Sequence, residues 1–134
     1  MAFRFLEHTA DILFQAEGKT FEDALEEASK ALSVTISDKL KKKKEFEYTE
    51  SAANIEELVV ASLSRLLSES ELLGFLPGGF KVLSFSGQPG NFIVKVRAWV
   101  GEGKQKTVVK GVTYGMLKVE KKEDKYVIQV LLDV

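Results

Sequence analysis

Two capped, amphipathic stripes followed by a long stretch without helical periodicity constrain this chain more than any other feature. Thr20 with Asp23 three residues on resembles a capping box. Phe21, Ala24, Leu25, Ala28, Leu32 and Ile36 then recur at helical spacing, so this helix has one apolar stripe. Asn54 and Glu57 repeat the capping pattern, and Ile55, Leu58, Val59, Leu63, Leu66 and Leu67 make the second stripe. That helix stops near Gly74, with Pro77-Gly78-Gly79 just beyond.

The last 55 residues carry only the period of strands. The expected strands are 80–86, 92–100, 106–114, 116–120 and 126 onward, with Gly115 as a bulge or kink. The turns fall at 87–91, 101–103 and 121–125. Upstream, residues 3–7, 11–17 and 45–50 also alternate, while 38–44, with five lysines, reads as a connection. Strands in runs favour α+β: a two-layer sandwich, two helices packed on one face of a largely antiparallel mixed sheet. A length of 134 residues suits one domain, 1–134, large enough to bury a core.

Composition removes several chemistries. No cysteine is present, which excludes disulfides, thiolate zinc sites, iron–sulfur clusters and a cysteine nucleophile. The one histidine, His8, excludes a multi-histidine metal site. The net charge of −1 argues against a surface that grips nucleic acid as a whole. No apolar run approaches the roughly 18–20 residues that span a bilayer. The opening Met1-Ala2-Phe3-Arg4-Phe5 lacks the pattern of a signal peptide, so the expected location is the cytoplasm, with no membrane partner. Gly101-Glu102-Gly103-Lys104-Gln105 lacks the flanking residues of a phosphate-binding loop and reads as a hairpin loop. The lysines at 39 and 41–44 have no interleaved aromatic, which suits a solvated connection better than an RNA contact.

The aspartates are more informative. There are five, at 11, 23, 38, 124 and 133. Asp23 fits a helix cap, and Asp38 and Asp124 fall in expected connections. Asp11 and Asp133 sit at strand ends, where Asp is disfavoured. By parity Asp11 shares a face with Gln15 and Glu17, and Asp133 shares one with Gln129. Two carboxylates, with the α-carboxylate of Val134 beside them, can make an all-oxygen site for a hard divalent cation. The alternative is that both aspartates simply end strands as turn formers. His8, three residues before Asp11, is either a local hydrogen-bonding residue or a ligand. Lys110, inside an apolar strand, is either a snorkelling side chain or a fixed cation for a phosphate or acidic partner.

Phe5-Leu6-Glu7-His8-Thr9-Ala10-Asp11-Ile12 is similar to the opening signature of the archease family. The resemblance continues along essentially the whole chain. Residues 18–25 look like the start of the family's first helix, and 58–67 like its second. Lys110-Gly111-Val112-Thr113-Tyr114 resembles the family's Lys-Ala-Val/Ile-Thr-Tyr strand, and Leu132-Asp133-Val134 its C-terminal motif. The resemblance implies a non-catalytic accessory factor for the RtcB-type RNA ligase of tRNA splicing, which acts on tRNA only through that ligase. It implies faster guanylylation of the ligase and multiple turnover. The essential acids fall on Asp11 and Asp133, with Val134 as a further metal ligand. The functional lysine falls on Lys110, and His8 lies within the signature. The implied cofactor is a divalent metal ion, Ca²⁺, Mg²⁺ or Mn²⁺.

Two departures stand out. The 101–105 segment is shorter than the loop many members carry there, and Gly115 stands where a side chain is common. Two other functions compete: a small metal-dependent hydrolase built on Asp11, Asp133 and His8, and a general chaperone or scaffold that binds through strand edges.

Overall fold

The computed structural model describes residues 2–8 and 10–134. Met1, and Thr9 of the His-Thr-Ala-Asp stretch, lie outside them. The elements run β1 (Ala2–Leu6), β2 (Ile12–Gly18), α1 (Phe21–Ile36), β3 (Ser37–Ala52), α2 (Ile55–Leu73), β4 (Leu76–Gln88), β5 (Asn91–Gln105), β6 (Gly111–Lys121) and β7 (Tyr126–Asp133). The class is α+β. The strands divide into two sheets, ordered β1-β2-β7-β6 and β3-β5-β4, and every neighbouring pair is antiparallel.

Both helices start as their caps dictate. The Thr20 hydroxyl accepts from the Asp23 N–H at 3.1 Å, and the Asn54 side chain accepts from the Glu57 N–H at 2.9 Å. Gly74, at φ 75°, ends α2 in the left-handed conformation that glycine adopts without strain. α1 packs against β2 of the first sheet and β4 of the second, while α2 meets β6 of the first and β3 of the second. A helix covered from two sides needs a wider buried arc than one stripe. α1 supplies it with small residues: Ser29, Ser33 and Thr35 are buried beside the alanines. Their hydroxyls turn back onto the helix, Thr35 Oγ1 donating to the Ala31 carbonyl at 2.8 Å. Phe14, Ile128, Val130 and Leu132 of the first sheet join Leu25, Leu32, Leu63, Val94 and Val96 in one apolar cluster.

The two sheets stay separate because the edges of the second are already committed. On β4 the Phe80 N–H donates to Ser29 Oγ at 3.0 Å and the Val82 N–H to Glu26 Oε2 at 2.7 Å, so α1 occupies that edge. On the other edge lies the lysine-rich half of β3.

Three segments differ from expectation. Residues 38–44 are strand, not a connection, because β5 runs on through Gln105 and pairs with them. For the same reason 101–105 is no hairpin loop. A Cβ on Gly101 would overlap the Lys41 carbonyl, and one on Gly103 would lie 3.0 Å from the Asp38 carbonyl. Glycine there lets the two backbones close up around the β3 irregularity at Asp38–Lys41. The connection is instead 106–110, and β6 begins at Gly111. The kink near Gly115 is present as a register shift between Thr113 and Lys118. Its left-handed residue is Met116, at φ 57°.

Candidate functional site

One end of the first sheet gathers the residues singled out above. β2 and β7 pair from Gly18–Tyr126 to Ile12–Leu132. Asp11 and Asp133 each lie one residue beyond that last pair, Asp11 just before β2 and Asp133 at the end of β7. β6 joins from the other side: Gly111 pairs with Asp133, and the Lys110 N–H donates to the Asp133 carbonyl at 2.7 Å. Burial explains why β7 ends here. Val127 through Leu132 are all buried, Asp133 is exposed, and half-buried Val134 packs against the core. Hydrophobic burial therefore holds the strand, and the carboxylate marks where that burial stops.

The parity expected for these strands is present further along. Gln15 and Gln129 stand opposite each other, and Gln15 Nε2 donates to Gln129 Oε1 at 2.9 Å. Arg4 donates to Gln15 at 2.8 Å, and Gln129 donates to the Met116 carbonyl at 2.8 Å. This ladder ties β1, β2, β7 and the β6 bulge together on the sheet's outer face and holds the strand ends in register.

Beside Asp11 lies an open cavity of about 470 Å³. Phe5, Leu6, Ile12 and Val34 supply its apolar wall, and Glu7, His8, Asp11 and Lys106 its ionisable groups. The 106–110 connection is anchored there, since Lys106 N–H and Thr107 N–H both donate to the Ile36 carbonyl, at 2.7 and 3.3 Å. Capping that carbonyl places Lys106 at the helix C-terminus, where a cation is favoured. Lys106 is also 3.1 Å from Asp38. His8 and Asp11 thus share the cavity, whereas Asp133, Val134 and Lys110 lie at the strand ends outside its lining. Sequence reasoning missed Phe5, Val34 and Lys106. Phe5 and Val34 are 46% and 42% exposed, and each lies in an amphipathic element where burial is the default reading.

Neither Asp11 nor Asp133 forms an ion pair among the described residues. Two uncompensated carboxylates therefore face one end of the sheet. Among the described residues no group of three or more His, Cys, Asp or Glu side chains could hold a metal ion. The donor set fits a hard cation held by one or two carboxylates, with water or another molecule's oxygens completing its shell. It does not supply the six to eight oxygens of a closed calcium cage. No described helix is long and apolar enough to cross a membrane.

The chain matches the model of the Archease protein family (MTH1598/TM1083) over residues 3–134. It is 32% identical to the protein archease of Methanosarcina acetivorans, over 98% of this chain and 95% of that protein. Its fold is similar to the solution structure of Methanobacterium thermoautotrophicum protein 1598, with a TM-score of 0.84 at 22% identity, covering 98% of each chain. It is also similar to the crystal structure of an archease from Thermotoga maritima, described as a possible chaperone. The TM-score is 0.64 at 25% identity, covering 96% of this chain and 94% of that one. The chain belongs to the archease family.

Proposed function

We propose that this protein is a non-catalytic accessory factor that activates an RtcB-type RNA ligase of tRNA splicing in the cytoplasm. The observation that carries the reading is the end of the β2–β7 ladder, where Asp11 and Asp133 each follow the last pair, Ile12–Leu132, and neither forms an ion pair among the described residues. Membership of the archease family supports an accessory role, and the ligase as partner is what the family resemblance implies. Asp11 and Asp133, with the main-chain oxygens of Val134, would hold a divalent cation. A bound cation would supply positive charge for phosphate oxygens.

The remaining roles belong to the chain itself. The Lys110 N–H fixes the Asp133 carbonyl and with it the end of β7, while the lysine side chain is exposed. The apolar wall of Phe5 and Val34 gives the partner's surface something to bury around the charged end. His8 adds a donor or acceptor at the same rim. Docked at the mouth of the ligase site, these groups would place metal and GTP for attack by the ligase's histidine. The contribution is positioning and electrostatics supplied from outside the ligase.

The test mixes the protein with its cognate ligase, GTP and Mg²⁺ or Mn²⁺, and follows GMP transfer to the ligase. The rate should rise, and multiple turnover of RNA joining should appear. Asp11→Asn and Asp133→Asn should each abolish the stimulation, with circular dichroism unchanged. The Thermotoga relative's description as a possible chaperone supports a second reading, general client binding. That reading predicts suppressed aggregation of unrelated proteins by both variants, and its success alongside an unchanged GMP transfer rate would displace the ligase reading.

A further inference from the structure

The chain's one tryptophan, Trp99, lies on β5 between two surface hollows. One, of about 310 Å³, is bordered by Val34, Lys39 and Leu40. The other, of about 420 Å³, is bordered by Glu45, Lys81 and Arg97. Lys30 borders both, and Val34 also borders the cavity beside Asp11. The two hollows adjoin at Lys30 and Trp99 as a furrow around the indole.

The indole is held from beneath. A Cβ on Gly78 would overlap its six-membered ring, so glycine is what lets the ring lie on the β4 backbone. The rest of Trp99 is partly exposed. Its N–H donates to no acceptor among the described residues, and no buried polar side-chain atom there lacks a partner, so this N–H meets solvent.

The charge around the ring is not balanced. Glu45 is paired with Lys42, while Glu26 accepts from the Val82 N–H and keeps its charge, one carboxylate against the two lysines Lys39 and Lys81. Lys30 has Glu27, and Arg97 has Glu47. Lys39 and Lys81 form no ion pair among the described residues. An exposed aromatic edge between unneutralised cations is the combination the lysine run lacked when read as a connection. It appears because residues 39–44 are strand and bring Lys39 to the furrow's rim.

We infer that this furrow binds single-stranded RNA, with a base against Trp99 and backbone phosphates on Lys39 and Lys81. An indole accepts any base, because every base has a π-face, and cations flanking it track the backbone. A duplex hides those faces. The net charge of −1 describes the whole surface and not this patch. The inference does not rest on ligase activation, and its test contains no ligase, so failure of one leaves the other standing.

Because Trp99 is the only tryptophan, its emission reports this site alone. The full chain is titrated with a short, unlabelled single-stranded RNA. Saturable quenching is expected, with affinity falling as salt rises. The log–log slope should be about −1.4 to −2.8, for two to four phosphates at roughly −0.7 each. The matching duplex should bind at least about tenfold more weakly. Lys39→Gln with Lys81→Gln, two exposed positions, should weaken binding about tenfold and leave the emission of the free protein unchanged. Trp99→Ala, followed by anisotropy of labelled RNA with circular dichroism as the check on folding, should weaken it roughly five- to hundredfold. Absence of quenching overturns the inference, as does RNA binding detected by anisotropy without quenching. Equal quenching by the duplex or by an acidic peptide overturns it too, as does parental affinity in the double lysine variant.

Discussion

Tyr48 is buried where β3 faces α2, and its hydroxyl donates to the Ser62 carbonyl at 2.8 Å. Burial pushes its phenol well above the ordinary tyrosine value, and the nearby Arg65 only partly opposes this. A group whose folded pKa is raised contributes stability below its unfolded pKa and loses it as pH climbs. Stability should therefore fall progressively above about pH 10, where the unfolded phenol ionises. Tyr48→Phe should cost about 1 kcal/mol near neutrality and flatten that alkaline slope; urea unfolding between neutral and alkaline pH checks both. At this scale the sequence was partly legible. Asp11 and Asp133 stood out because aspartate is rare in strands, and strand parity placed Asp11 with Gln15 and Asp133 with Gln129. Trp99 did not stand out. Its setting is made by Gly78 and Lys81 on β4 and Lys39 on β3, and only strand pairing brings these together.

Among the elements, α1 carries the most varied duties. One side closes over the first sheet, and another supplies acceptors to the open edge of β4. Ser29→Ala keeps the helix and strands the Phe80 N–H in a buried position. The expected loss is about 1–3 kcal/mol, read as a lower midpoint in urea with the slope unchanged. Ser29→Gly should be worse, since it adds the helix cost of glycine to the same lost bond. Both helices and their caps could be read from spacing because their signals are local. Residues 38–44 and 101–105 could not. A lysine run and a Gly-x-Gly stretch each look like loops, and only pairing with each other makes them strands. The 106–110 connection reads as strand because Thr107, Val108 and Val109 are β-branched, whereas the Lys106 and Thr107 amides bond to the Ile36 carbonyl and not into a ladder.

Across the whole molecule, β7 is flanked by β2 and β6, whereas β1 lies at an edge. Its amides from Val127 to Leu132 should exchange most slowly, at rates tracking global unfolding, while those of β1 exchange sooner. Hydrogen exchange with mass or magnetic resonance detection would show the order, and equal protection of β1 and β7 would contradict it. The two sheets also differ in where their strands come from. The second is built from the unbroken middle of the chain, residues 37–105, with paired residues at most 68 apart. The first needs β2 from before that stretch and β7 from after it. Short-range pairing forms readily, while long-range pairing waits on loop closure. A chain emerging from the ribosome can therefore assemble its second sheet while Asp11 still has no neighbour. The carboxylate pair comes into being only when β7 slots between β2 and β6, so a half-made or half-folded copy has nothing to offer a partner there.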